Sequence, residues 1–501
     1  MTQMEDITYI RKTLHDRGIC VIIPTFNNVE SIKSVVEDAL IYCNDVIVVD
    51  DGSNDGTTDI LRTINDITLV SYPRNRGKGH ALKCGFSKAL EMGFAYAITM
   101  DADGQHKAKD IPLFLKANQQ WPGSIILGSR DDKEIVRAKG CTFANKFSNF
   151  WFSVETLHHI PDTQTGFRLY PLKKLYGYKL LTSRYEAELE LIVFASWHGV
   201  KLHSIPINVY YPPIEERVSH FRPGLDFTRI SILNSILCGL AVVYGLPLLI
   251  FRKATTFIRT VVVLLSILLM FVFFSPTIWL YVKASKMTER KKWQLHLLIY
   301  RVMRFIIFKI GIPGAYFSYS VDKSVDFNTP SVIICNHQSH LDLMYLLALT
   351  PKIIFLTNDW VWHNPLYSFL IRHAEYYPAS QGIETLMPHF ESLISRGYSI
   401  AIFPEGTRSA DCRIARFHKG AFYVARQLGV SILPIFLYGT GRILKKNTYH
   451  MSKSPVYLEV RKAVSTDEFK NIGDDKDVMR YFHHIYLRHF EEISNKKEQN
   501  V

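Results

Sequence analysis

Val46-Ile47-Val48-Val49-Asp50-Asp51-Gly52-Ser53 is a run of four β-branched residues leading straight into a polar turn. A short run that is apolar at every position reads as a strand buried on both faces, and parallel sheets are where such strands occur. Working outward, Val21–Ile23 is another such run, while Val29–Tyr42 and Thr57–Leu61 are helix-like segments on either side of the quoted stretch. Strand, helix, strand, helix is the rhythm of a βαβ sheet with covering helices. Ligands of these sheets lie beyond the carboxyl ends of the strands, so Asp50 or Asp51 stands where a ribose or a base edge is held. The same residues also make an ordinary turn and helix cap.

About 50 residues on, Ala97-Ile98-Thr99-Met100 runs into Asp101-Ala102-Asp103-Gly104-Gln105-His106. Two carboxylates at this spacing beyond a strand suit a hard divalent ion that keeps positions open for the oxygens of a sugar-nucleotide diphosphate. Together these segments resemble glycosyltransferase family 2, and its polyprenyl-phosphate sugar transferases in particular, over Cys20–Phe227. The motifs, in order, are Val-Ile-Ile-Pro-Thr-Phe-Asn-Asn (21 to 28), Val-Val-Asp-Asp-Gly-Ser-Asn-Asp-Gly-Thr (48 to 57) and Asn-Arg-Gly-Lys-Gly-His-Ala-Leu (75 to 82). Met-Asp-Ala-Asp-Gly-Gln-His (100 to 106), Gly-Ser-Arg (128 to 130) and Gln-Thr-Gly-Phe-Arg-Leu-Tyr (164 to 170) complete them.

The resemblance implies a GT-A fold, a nucleotide-sugar donor, inversion at the sugar carbon, and Mg²⁺ or Mn²⁺ on Asp101 and Asp103 with Gln105 nearby. Lys78 joins Asp50 and Asp51 as a donor-binding candidate, and Arg130 and Arg217 match positions that face the diphosphate or the acceptor phosphate. A phosphate acceptor needs no general base, whereas a hydroxyl does. The spare carboxylates, Glu186 and Glu188, read equally well as helix-surface charges.

In the second half, Ser331–Cys335, Ser399–Phe403 and Ile432–Leu437 are again buried-strand runs separated by helical stretches. After the first comes Asn336-His337-Gln338-Ser339-His340-Leu341-Asp342, in which Asp342 is spaced to orient His337 and stabilise its protonated form. His337 would then take the proton of an acceptor hydroxyl or amine as it attacks an acyl thioester. Ile402-Phe403-Pro404-Glu405-Gly406-Thr407-Arg408-Ser409 follows the second strand, with Gly406 exposing backbone amides and Arg408 offering a forked donor to an anion.

From Trp293 to Val464 the chain resembles the glycerolipid acyltransferases, with Ile432-Leu433-Pro434-Ile435 as the late strand motif. The resemblance implies His337 and Asp342 as the catalytic pair, Glu405, Gly406, Thr407 and Arg408 as acceptor-binding residues, and acyl-CoA or acyl carrier protein as donor. One departure stands out. The arginine that closes the family's middle motif is missing from Glu375-Tyr376-Tyr377-Pro378-Ala379-Ser380, and Arg372 lies upstream. Its loss counts against lysophosphatidate as acceptor and in favour of a glycolipid, an aryl or amino lipid, or some other acceptor.

Between the halves, Ile230–Phe251 and Thr260–Val282 contain no charged residue, and each is long enough to cross a hydrocarbon core about 30 Å thick. They are expected to form a transmembrane hairpin, which divides the α/β chain into a GT-A domain (1–229), the hairpin (230–285) and an acyltransferase domain (286–501). The net charge of +13 favours an anionic partner, and the cluster Lys283, Lys286, Arg290, Lys291 and Lys292 directly after an apolar segment favours lipid headgroups over nucleic acid. Seven scattered cysteines lack zinc spacing and read as reduced thiols.

The N-terminus lacks a signal-peptide plan, so no export is expected. Basic flanks then place both domains on the cytoplasmic face of a bacterial inner membrane, working on membrane lipids. The expected function is bifunctional: sugar transfer to a lipid phosphate and acyl transfer to a lipid hydroxyl or amine. The alternative makes the first half a non-catalytic binding module, against which intact Asp101, Asp103 and Arg130 argue.

Overall fold

The computed structural model describes residues 3–130, 139–210, 223–283, 286–357, 359–363 and 368–499. The chain divides into two compact units, Met1–Arg252 and Lys253–Lys497.

The first unit holds one seven-stranded sheet. Its strands are β1 (Ile19–Thr25), β2 (Val46–Asp50), β3 (Ile67–Ser71), β4 (Tyr96–Thr99), β5 (Ile125–Arg130), β6 (Arg168–Pro171) and β7 (Leu202–Ile207). They lie in the order β3-β2-β1-β4-β6-β5-β7. Neighbours are parallel except at β6, which runs against both β4 and β5. The alternation of side chains explains why the strands are apolar throughout: Val21, Ile23, Val46 and Val48 enter one core, Ile22, Ile47 and Val49 the other. Because β1, β2, β4 and β5 share a direction, Thr25, Asp50, Asp101 and Arg130 all emerge at one edge of the sheet, around the β1/β4 switch in strand order.

Helix Glu186–Trp197 is apolar on nearly every side, and so it is buried all round, its glutamates included: Glu186, Glu188 and Glu190 are 7%, 6% and 0% exposed. Of the two readings open for Glu186 and Glu188, spare carboxylates or helix-surface charges, the surface one is therefore excluded.

The expected hairpin is also corrected. Helix runs from Pro223 to Lys283, interrupted only by a π turn over Ala241–Gly245, and Arg252–Arg259 is helical throughout. That connection contains neither glycine nor proline, so nothing in it breaks the helix. Among the described residues one segment, Thr228–Ser266, is long and apolar enough to cross a membrane. Leu233, Leu237 and Ala241 pack it into the core of the first unit, and the π turn lets Gly245 lie against Trp197, where a Cβ would come within 2.3 Å of the indole. Its other side leaves Ile232, Ile236, Val242, Val243, Ile250 and Phe251 exposed.

The second unit holds a separate seven-stranded sheet: β8 (Ala315–Val321), β9 (Ser331–Cys335), β10 (Ile353–Thr357), β11 (Tyr377–Pro378), β12 (Ser399–Ile402), β13 (Ser431–Tyr438) and β14 (Ser454–Val460). The order is β11-β10-β12-β9-β13-β14-β8. The five strands from β11 to β13 are parallel; β14 runs against β13, and β8 follows β14. With Ile402 beside Ile334 in register, the segments after β9 and β12 leave the sheet side by side. The C-terminal helix Asp475–Gln499 closes one face, the buried hydroxyl of Tyr486 donating to the carbonyls of Ile334 and Ile435.

Candidate active sites

In the first unit Asp51 is buried and fully engaged: its carboxylate accepts the Tyr72 hydroxyl and the amides of Arg76 and Gly77, each at 2.8 Å. Asp50 is equally enclosed, accepting the amide of Ser53 at 3.0 Å and the hydroxyls of Thr58 and Ser71. Both aspartates thus fasten the loops that frame the strand ends, Asp51 binding the segment 72–77 that leads into helix Lys78–Glu91.

Lys78 opens that helix and reaches the other side of the site. Its ammonium lies 2.6 Å from Asp101 and 2.8 Å from Glu188. Burial alone would depress Lys78, but the two carboxylates outweigh it and hold it well above the ordinary lysine range. Asp101 is half-buried, and its desolvation would raise it, yet Lys78 and His106 hold it down at about 2. Asp103 goes the other way, to about 6, through burial and the neighbouring charge of Asp101. His106 is pushed down to about 4 by burial.

Asp101 and Asp103 therefore form a repelling pair of hard oxygen donors, the kind of pair whose charge a divalent cation relieves, and these residues fit Mg²⁺ or Mn²⁺. Among the described residues no group of three or more His, Cys, Asp or Glu gathers as a ready cation cage. Gly166 lies directly behind Asp101: a Cβ there would come within 2.3 Å of its carboxylate oxygen. Gln105 donates its main-chain N–H to Asp103 Oδ1 at 3.0 Å. Arg130 forms a forked pair with Asp162 at 2.5 and 2.8 Å. Arg217 lies outside the described residues. Glu188, which the sequence left open between a spare carboxylate of the site and a helix-surface charge, reaches Lys78, and its Oε1 is buried without a hydrogen-bond partner.

In the second unit the two segments leaving β9 and β12 are bonded together. His337 Nδ1 lies 2.9 Å from Asp342 Oδ2, and that oxygen also accepts the amides of Gln338 at 2.7 Å and Ser339 at 2.9 Å. The other oxygen of Asp342 accepts the hydroxyl of Thr440 at 2.5 Å. A carboxylate held by four donors fixes the ring it faces, and Nδ1 is taken as the protonated nitrogen, donating to Asp342 and leaving Nε2 as acceptor. Phe403 stacks on the ring with centroids 4.0 Å apart. Asn336 bonds in both directions to the main chain of Leu437, at 2.8 and 2.9 Å, and so fixes the start of the segment against β13.

Glu405 is 3% exposed, and its two oxygens are occupied by the amides of His337 at 2.8 Å and Ala415 at 2.9 Å. Its carboxylate grips the main chain of His337, a different part from the acceptor contact expected of it. Burial pushes Glu405 up to about 7, against the pull of those two amides. Gly406 turns the chain with a positive φ of 67° and is exposed together with Thr407. The turn comes back to the histidine, the Ser409 amide donating to the His337 carbonyl at 2.8 Å.

Comparison with known proteins gives two domain matches. A family model described as glycosyl transferase family 2 covers residues 20–175, and one described as acyltransferase covers residues 318–438. An uncharacterized protein of Methanocaldococcus jannaschii is 33% identical over 206 residues, 38% of this chain and 82% of its own length. The UDP-N-acetylglucosamine--dolichyl-phosphate N-acetylglucosaminyltransferase of Methanococcus voltae is 29% identical over 39% of this chain and 87% of its own. The chloroplastic 1-acyl-sn-glycerol-3-phosphate acyltransferase LPAT1 of Arabidopsis thaliana is 34% identical over 142 residues, 27% of this chain but only 38% of the plant protein. The chain thus joins a transferase domain of glycosyl transferase family 2 to a transferase domain of the acyltransferase family.

Proposed function

We propose that the first domain transfers a sugar from a nucleotide-sugar to a lipid phosphate, and that the second transfers an acyl group from acyl-CoA or acyl carrier protein to a lipid hydroxyl or amine. One observation carries both halves: in each domain the ionisable groups gather at the carboxyl edge of a parallel sheet, on segments leaving neighbouring strands. The named acceptors of the relatives, a dolichyl phosphate and an acylglycerol phosphate, support lipids on both sides. The exposed apolar side of Thr228–Ser266 supports work at a membrane surface, for which we assign the cytoplasmic face of a bacterial inner membrane.

In the first domain Asp101 and Asp103 would hold Mg²⁺ or Mn²⁺, which neutralises charge on the departing diphosphate. Lys78 keeps Asp101 ionised and turned into the site. A lipid phosphate attacks without a base; for a hydroxyl acceptor, Glu188 is the carboxylate at hand.

In the second, the acceptor's proton passes to His337 Nε2 as its oxygen or nitrogen bonds to the thioester carbonyl carbon. Asp342 stabilises the imidazolium. The carbon–sulfur bond then breaks, and the proton leaves with the thiol. Glu405 acts on this step through the main chain of His337. Glu405→Gln removes one of the two amide acceptors, and a bond to a charged group is worth about 1.5–3 kcal/mol. The expected result is a fall of about 10- to 100-fold in kcat with the acceptor KM unchanged; a rise in KM alone would return Glu405 to acceptor binding.

Mass spectrometry of lipids from cells expressing the wild type, Asp103→Ala and His337→Ala tests the whole reading. Each variant is expected to lose one modification, hexose or acyl chain, and to accumulate its precursor. If both modifications survive in both variants, the site assignments fall; if Asp103→Ala alone changes nothing, the binding-module alternative replaces the glycosyltransferase.

A further inference from the structure

In the first unit a loop joins the short helix Leu172–Leu175 to the buried helix Glu186–Trp197. It holds two large apolar side chains out of the protein: Tyr176 is 77% exposed and Leu181 64%. A single exposed leucine is ordinary, but this loop is fastened from within. Glu190, itself 0% exposed, accepts the amides of Leu181 at 2.6 Å and Thr182 at 3.0 Å, and the Thr182 hydroxyl at 2.6 Å. A buried carboxylate is thus spent on presenting Leu181 outward. Burial gains nothing from that arrangement in water, and it gains when an apolar phase meets the loop.

The charge around these two side chains has one sign. From 171 to 185 the sequence carries Lys173, Lys174, Lys179 and Arg184 and no acid, and all four cations are exposed. Apolar tips set among cations match a surface of anionic headgroups over acyl chains. The loop is also continuous with the exposed apolar side of the long helix. The Tyr178 ring lies 5.0 Å from that of His198, whose Nε2 is 3.0 Å from the Tyr244 hydroxyl, in the π turn that exposes Val242 and Val243. At its other end the loop braces the sugar site. The Ser183 carbonyl accepts the His80 amide at 2.9 Å, and the Thr182 carbonyl accepts Lys83 Nζ at 3.3 Å, both on the helix that Lys78 opens.

We propose that this loop docks the first domain on an anionic bilayer, Tyr176 and Leu181 entering the boundary of the acyl chains while Lys173 and Lys179 meet the headgroups. The proposal rests on the membrane-surface reading given above, and it adds a contact outside the long helix. Through the bonds to His80 and Lys83, that contact ties the bilayer surface to the helix that carries Lys78.

The full-length protein is mixed with vesicles of phosphatidylcholine, alone or with phosphatidylglycerol. An environment-sensitive NBD label on Leu181→Cys is expected to brighten and shift to the blue on the mixed vesicles, beyond the background of the wild type's own labelled thiols. The control is Leu113→Cys, exposed on the helix Ile111–Gln120 that packs into the core on the opposite face of the sheet, and its label should not respond. Tyr176→Ser/Leu181→Ser should weaken partition into mixed vesicles by about 10- to 100-fold, the value of one buried leucine. Lys173→Gln/Lys179→Gln should cost about 5-fold per lysine on mixed vesicles and nothing on phosphatidylcholine alone. The inference is overturned if the label at 181 stays unchanged while the protein binds, which leaves the contact to the long helix; if the label at 113 responds equally; or if the lysine variant loses nothing on mixed vesicles. In these outcomes a wild type that binds vesicles leaves the membrane-surface reading standing. A wild type that binds neither vesicle rejects that reading, and the inference with it.

Discussion

His337→Ala is expected to lower acyl transfer by about 10²- to 10⁴-fold in kcat/KM, the usual contribution of a positioned general base. Sugar transfer by the same molecules should be unchanged. The substitution removes the only ring nitrogen that faces outward from the Asp342 pair, and it leaves Asp342 with the amides of Gln338 and Ser339 and the hydroxyl of Thr440. The carboxylate is therefore not orphaned, and the loss should be catalytic rather than one of folding. Asp342→Asn is the companion experiment. Its carbonyl oxygen can keep the three donors that meet on Oδ2, with the NH2 turned to the Thr440 hydroxyl as acceptor, so what it takes away is the charge that stabilises the imidazolium. Its expected signature is a fall in kcat with acceptor KM unmoved. Full acyl transfer by His337→Ala would exclude this histidine as the base.

Asp101→Asn should abolish sugar transfer and spare acyl transfer. Charge stabilisation by a bound divalent ion is worth several kcal/mol, so the expected loss is about 10²- to 10⁴-fold. Here the second domain serves as the internal control on integrity. Lys78 keeps Glu188 as a partner at 2.8 Å, so the substitution does not strand a buried ammonium. A second measurement separates loss of cation from loss of shape. Titrating Mn²⁺ should shift the wild-type activity curve to lower concentration than that of the variant, whereas identical curves with lower plateaus would mean that Asp101 only supports the loop.

Much of this arrangement was legible in the chain because it rests on local patterns. Runs such as Val46–Val49 and Ser331–Cys335 are short and apolar at every position, and parallel neighbours carry their following residues to one edge. What could not be read locally was the company each side chain keeps. Glu188 read equally well as a spare carboxylate and as a surface charge, yet Ala187, Leu189, Leu191, Ile192 and Val193 around it leave its helix no polar face. That all-round apolarity was the available signal. Glu405 sits in a motif associated with the acceptor, and only the pairing of β9 with β12 reveals that its oxygens face the amides of His337 and Ala415. Two charge-free stretches suggested two crossings, but helix continuity depends on what joins them, and Arg252–Arg259 has no residue that stops a helix.

Asp101 and Gly166 stand 65 positions apart in the chain and share one volume, since a single methyl at 166 would overlap the carboxylate. Their effects on the protein are therefore not additive. A side chain at 166 displaces the very group whose loss it would otherwise be compared with, so in the absence of Asp101 it has little left to damage. The two positions behave as one element of variation. Drift at 166 is free only in a descendant that has already given up the carboxylate.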